Sequence, residues 1–249
     1  MPASIDDLND HDALAMTKRK GPIGWLLRII GLFVLISILQ VLVLRFVPPP
    51  MTAFMFWRQV DVWISGDRDY RWRYDWEPLS NMSPHVPVAL VAAEDQLFAE
   101  HYGFDVVAIE KAYNNNARGK RIRGGSTISQ QVAKNLFLWS GGGYFRKALE
   151  AWYTLLIEAL WPKHRIIEMY ANVAEMGDGV YGAQAAAVKF FNVNAKQLSR
   201  SQAARLAAVL PNPKKYNAAK PGPYVARRAR WIERQMGRIG GQGYLKQLE

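Results

Sequence analysis

The apolar run from Ile23 to Leu44 constrains this chain more than any other feature. It is 22 residues long and carries one charge, Arg28, near its start. A helix of that length spans the ~30 Å hydrocarbon core of a bilayer. Arg28 can reach back to the headgroups along its aliphatic stem, and Trp25 favours the same interface. A cleaved signal peptide fits less well, because the run exceeds the usual ~7–15 apolar residues and lacks a small-residue cleavage site. Lys18, Arg19 and Lys20 precede the run, whereas Arg45 is the only basic residue on its far side before Arg58. That asymmetry places the N-terminus in the cytoplasm and the residues after about 47 outside. Pro48, Pro49 and Pro50 then end the helix. The division expected is a tail over residues 1–22, a transmembrane helix over 23–47 and one domain over 51–249.

That domain reads as mostly helical. Apolar residues recur at helical spacing in Val88, Val91 and Ala92, in Leu149, Trp152, Leu155, Leu156 and Ala159, and in Leu206, Ala207, Val209 and Leu210. Ser199 is placed to cap the last of these helices, and Pro211 to stop it. No period-two strand pattern of any length is visible. Residues 51–64 are rich in Phe, Met and Trp, which suits either a core helix or a helix lying on the bilayer.

The chain has 32 Lys and Arg against 21 Asp and Glu, a surplus of eleven positive charges that calls for an anionic partner. The surplus is concentrated. From Lys111 to Leu149 there are eight basic residues and no acid. A second basic block runs from Lys214 to Arg238. A solvated face usually mixes both signs, so a one-sign stretch favours an anion site. The external topology and the lack of any nucleic-acid module argue against DNA or RNA as that anion. The absence of cysteine excludes a thiol nucleophile, a zinc–thiolate site and an Fe–S cluster.

Three segments carry residues suited to chemistry. In AAEDQLFAEHYGFD, Glu94, Phe98 and His101 fall on one face if the helix continues to Gly103, with Asp95 beside them. In GGSTISQQVAKN, Gly124 and Gly125 let a ligand approach the backbone, Ser126 or Thr127 can cap a helix, and Gln130, Gln131, Lys134 and Asn135 are polar. In RKALE, Arg146, Lys147 and Glu150 are spaced for contact along one helix. A fourth segment holds Lys163, Ile166, Glu168, Tyr170 and Asn172, and a fifth holds Arg227 and Arg228.

In this order, over about residues 80–235, the segments resemble the five motifs of the peptidoglycan glycosyltransferase family. They look like its monofunctional transglycosylases more than its bifunctional penicillin-binding members. The resemblance implies a lysozyme-like helical domain with a smaller membrane-proximal lobe, placed at about residues 108–145, with a flap at Asn114 to Gly119. It implies an inverting transfer from a glycan chain linked to lipid pyrophosphate onto lipid II, the lipid-linked disaccharide-peptide. Glu94 would be the general base. Lys134, Arg146 and Lys147 would hold phosphates, and Glu150, the second catalytic carboxylate, would act electrostatically or orient these cations. The other substrate-binding residues implied are Asp95, Phe98, His101, Ser126, Thr127, Gln130, Gln131, Asn135 and Lys163. No cofactor is obligatory, although a divalent cation, Mg or Mn, could sit between Glu150 and the phosphates. The implied location is the inner membrane, with the domain periplasmic, in contact with membrane lipids and with proteins of the division or elongation machinery.

The chain departs from the family pattern at Ile167 and Ala171, where Leu is usual, and at Gly142, where a phosphate-binding Arg is common. Arg146, Lys147 or Lys163 are the candidates to replace that Arg. With about twenty residues after Arg228 and no penicillin-binding signature, no peptide cross-linking is expected. Two rival readings are a lytic enzyme that cuts the same glycan and a non-catalytic scaffold of wall synthesis. A lytic enzyme needs no phosphate cradle, and a scaffold needs no paired motifs.

Overall fold

The computed structural model describes residues 22–67, 70–105 and 125–248. Helix α1 (Pro22–Phe46) is long and apolar enough to cross a membrane, with a mean hydropathy of 2.6 over its most apolar window. The compact unit that follows begins inside the end of α1, at Val41. Val41 is fully buried in its core. The Trp161 indole N–H donates to the Val41 carbonyl at 2.8 Å, and Arg165 Nη2 donates to the Leu44 carbonyl at 2.8 Å. These donors satisfy carbonyls at a helix end.

Eight more helices follow among the described residues. They are α2 (Ala53–Ser65), α3 (His85–Glu94), α4 (Ile128–Phe137), α5 (Tyr144–Leu160), α6 (Lys163–Val173), α7 (Ala183–Phe191), α8 (Arg200–Val209) and α9 (Pro223–Arg238). Their boundaries follow from local chemistry. Thr127 and Gln130 form a reciprocal capping box at the start of α4, and Ser199 with Gln202 does the same for α8. Pro223 opens α9, where no intrahelical N–H partner is needed. Along α9, Val225, Ala229, Ile232 and Met236 face inward at helical spacing. Helix α2 is two-sided, with Met55 and Val62 buried and Phe56, Trp57, Trp63 and Ile64 exposed.

Three short strands, β1 (Arg73–Tyr74), β2 (Glu175–Gly177) and β3 (Val180–Tyr181), form a sheet in the order β1-β3-β2. β1 runs parallel to β3 with Arg73 opposite Val180, and β2 is antiparallel to β3. Strands of two or three residues leave no alternation to read, which is why the sequence shows none.

The core lies between two groups of helices. α3 packs against α8 and α9, and α4 packs against α2, α5 and α6. α6 also contacts α3 and so joins the groups. Leu90, Phe98, Ile128, Ile157, Ile166 and Tyr170 are among the large side chains filling the interior.

One helix ends earlier than the apolar pattern suggests. α3 stops at Glu94, and Asp95 leaves helical geometry at φ −159°, ψ 79°. Phe98 and His101 therefore lie in the turns beyond the helix instead of on its face. The cause is the Asp95 side chain, which is bonded elsewhere, as described below. The flap expected at Asn114–Gly119, and residues 108–124 of the smaller lobe expected at 108–145, lie outside the described residues.

Candidate active site

The turn after α3 is held in place by a connected set of hydrogen bonds. Asp95 Oδ2 accepts the backbone N–H of Ile128 at 3.0 Å, which is the first residue of α4. Its Oδ1 lies 2.8 Å from His101 Nε2. His101 Nδ1 accepts the Gly103 N–H at 3.2 Å, so the ring proton sits on Nε2 and is donated to Asp95. The Thr127 hydroxyl closes the loop by donating to the Gly103 carbonyl at 2.7 Å. Gly103 has φ +80°, and a Cβ there would lie 2.6 Å from Thr154 Cγ2, so the position accepts only glycine. Phe98 is fully buried beneath this turn. Asp95, Phe98, His101, Thr127 and Gln130 are thus engaged within the protein.

What this scaffold positions is Glu94, the last residue of α3. Glu94 Oε2 accepts from Gln131 Nε2 at 3.0 Å, and Oε1 accepts from Arg228 Nη2 at 3.1 Å. Gln131 Oε1 in turn accepts the buried Tyr170 hydroxyl at 3.0 Å, which fixes the amide's orientation. Burial raises the Glu94 pKa above its ordinary value, while the Gln131 hydrogen bond and the Arg228 charge pull it down. A carboxylate that is desolvated yet still bonded suits proton abstraction.

Lys134 follows Gln131 by three residues on α4, about 4.5 Å along the helix axis and on the same face. Burial lowers its pKa, and Glu150 offsets part of that effect. Among the described residues no carboxylate lies within ion-pair distance of Lys134 Nζ, which sits 5.7 Å from the centre of the Phe54 ring. Glu150 is only 3% exposed. Arg146 Nη1 donates to its Oε2 at 2.8 Å, and Lys147 Nζ donates to its Oε1. The carboxylate of the RKALE segment is therefore buried, with Arg146 partly buried and Lys147 exposed beside it. The Nε–H groups of Arg146 and Arg228 are buried without acceptors among the described residues. Buried donors of this kind call for an oxygen-rich partner.

The other candidates fall on either side of this cluster. Ser126 is exposed at the start of α4, and Asn135 is buried on it. Lys163 lies elsewhere. Its Nζ donates to Glu158 Oε1 at 2.9 Å and to the His101 carbonyl, and it sits 4.6 Å from the centre of the Phe98 ring. It staples the α5–α6 corner to the His101 turn. Gly142 adopts φ +91°, and a Cβ there would meet Arg146 Cβ at 3.0 Å. The Arg146 stem occupies the space beside Gly142. The basic residues Lys111, Arg118, Lys120, Arg121 and Arg123 and the motif residue Gly124 lie outside the described residues.

The donor set does not suit a divalent cation. No group of three His, Asp or Glu side chains among the described residues could hold one. Both Glu150 oxygens already face cations. No step is derived through a metal.

Sequence reasoning missed Glu158, which pairs with Lys163 and accepts from the Ser129 hydroxyl. It also missed Glu175 on β2, whose charge reaches Lys134. Glu158 is five residues before Lys163, across Pro162, a spacing that suggests no pairing in a continuous helix.

A family model described as Transglycosylase matches residues 64–237, which include all five motif segments. The chain belongs to the transglycosylase family. It is 52% identical over 241 residues to the biosynthetic peptidoglycan transglycosylase of Xanthomonas campestris pv. campestris, covering 97% of this chain and 98% of that one. It is 58% identical over 217 residues to the protein of the same name from Pseudomonas putida, covering 87% of this chain and 92% of that one. Family membership and these relatives make the chain a glycosyltransferase.

Proposed function

We propose that this enzyme polymerises lipid II into the β-1,4 glycan strands of peptidoglycan, with Glu94 as general base. The observation that carries the proposal is a desolvated carboxylate, Glu94, bonded to Gln131 of α4, with Lys134 one turn along the same face of α4 and without an ion-pair partner among the described residues. The 4-hydroxyl oxygen of the acceptor sugar attacks the anomeric carbon of the donor, and its proton passes to Glu94. The bond from that carbon to the phosphate oxygen breaks, leaving its electron pair on the lipid pyrophosphate. A sugar hydroxyl is a poor nucleophile and needs a base. Pyrophosphate is a good leaving group that needs its growing charge neutralised more than it needs a proton. Lys134, Arg146 and Lys147 supply that charge, and Glu150 holds the last two in place. Attack opposite the leaving group inverts the anomeric configuration.

Both substrates are lipids of the outer leaflet. The N-terminal helix anchors the enzyme beside them with its N-terminus cytoplasmic, which raises their effective concentration. The exposed aromatic residues of α2 lie along the route of the lipid chains. The test uses the detergent-solubilised full chain with lipid II. Polymer that a muramidase digests back to disaccharide-peptide supports the reading. Cleavage of purified glycan strands in place of synthesis establishes the lytic alternative.

A further inference from the structure

Two clefts flank β1, away from the Glu94 cluster, with volumes of about 380 and 270 Å³. Their size is close to the ~300–1,000 Å³ of small-ligand sites. Trp72, Tyr74 and Asp75 line the first, and Asp178 and Lys189 line the second. Arg73 lines both. Its backbone N–H donates to the Gly179 carbonyl at 2.7 Å, which fixes the strand that carries it. The side chains of Arg73 and Lys189 are exposed, and among the described residues neither forms an ion pair. Two cations without ion pairs among the described residues, beside Asp75 and an aromatic wall, suit a ligand that carries carboxylates, an amine and small apolar groups.

Helix α2 connects these clefts to the reaction site. Phe54 on its first turn packs near Lys134 Nζ. Arg58, one turn further and about 6 Å along the axis, lies 5.1 Å from the Tyr70 ring centre and pairs with Asp178 at 3.5 Å. Glu175, whose charge acts on Lys134, accepts the Gly179 N–H at 3.1 Å beside Asp178, which ties the Lys134 site to the Asp178 side of β1.

We propose that the clefts at β1 are a subsite for the peptide of the disaccharide-peptide substrate. Arg73 and Lys189 take its carboxylates, Asp75 takes an amine, and Trp72 and Tyr74 cover its apolar side chains. The inference rests on the glycan-polymerising reading and adds recognition of the peptide to it.

The test compares lipid-linked disaccharide bearing the peptide with the same lipid lacking it, in the same detergent. Wild type has a KM about tenfold lower for the peptide-bearing substrate, the effect of one charge-assisted contact. In Arg73→Ala/Lys189→Ala that preference disappears, because KM rises for the peptide-bearing substrate alone. Lys189→Glu alone moves KM in the same direction. Equal KM values for both substrates in wild type overturn the proposal, as does an equal loss on both substrates in the double variant. If wild type polymerises neither substrate, the polymerising reading fails. Binding of soluble disaccharide-peptide, followed by NMR, then decides the site separately. Binding lost in the double variant supports it, and no binding to wild type overturns it.

Discussion

Replacing Asp95 with Asn tests whether the carboxylate beside Glu94 positions the site or touches substrate. Asp95 accepts two buried N–H donors, one from Ile128 at 3.0 Å and one from His101 at 2.8 Å. An amide accepts through only one of its ends, so its NH₂ must face a donor. If the amide oxygen stays on Ile128, the NH₂ meets His101 Nε2–H. A tautomer change would relieve that clash by moving the proton to Nδ1, where it would oppose the Gly103 N–H at 3.2 Å. Every arrangement leaves one buried donor without an acceptor, which costs about 1–3 kcal/mol. Losing a negative charge at the start of α4 adds roughly 0.3–1 kcal/mol. The total is about 1–4 kcal/mol, or a fall in Tm of about 3–16 °C for a domain of this size. Thermal unfolding followed by circular dichroism measures it, alongside polymerisation. An unchanged Tm with lost activity would refute the positioning role and return Asp95 to the substrate.

Three further outcomes follow from the same geometry. Burial raises the Glu94 pKa and lowers that of Lys134. The base must be ionised and the cation charged, so activity is lost as pH falls through a value above 4.5 and again as it rises through a value below 10.5. A pH–kcat/KM profile with limbs at or outside those ordinary values contradicts the assignment. Lys134→Met lowers kcat/KM at least a hundredfold without lowering Tm, on the scale of losing one preorganised charge contact. Lys163→Met, which breaks the Glu158 staple, lowers Tm, and the two melting curves separate the roles. A chain starting at residue 48 lacks buried Val41 and the carbonyls bonded by Trp161 and Arg165. It is less stable than one starting at residue 40 by at least the ~1.5–3 kcal/mol of one buried valine, as denaturant titration will show.

Much of the site was legible in the sequence because its groups lie within short segments. Gln131 and Lys134 share a helix face, and Arg146 and Glu150 are four residues apart on another. The Ser199 cap and the α2 face were legible for the same reason. What was not legible depends on contacts across the chain. The spacing of Glu94, Phe98 and His101 suits a continuous helix, but Asp95 is held by Ile128, 33 residues later, and the helix ends. The pairing of Glu94 with Arg228 spans 134 residues, so no local pattern could select Arg228 over Arg227. Lys163 reads as one more phosphate ligand until Glu158 and the His101 carbonyl are seen to hold it. The β1 clefts arise where residues near 73 meet residues near 180, which local spacing does not reveal.

The most direct test of the account is polymerisation of lipid II by the full chain and by Glu94→Gln. Glutamine keeps the size of the side chain and can still accept from Arg228, while its NH₂ takes the place of the oxygen that accepts from Gln131. The account predicts polymer from wild type and a loss of about 10²–10⁴-fold in Glu94→Gln, in a protein that circular dichroism shows still folded at the assay temperature. Polymer formed at the wild-type rate by Glu94→Gln would contradict it.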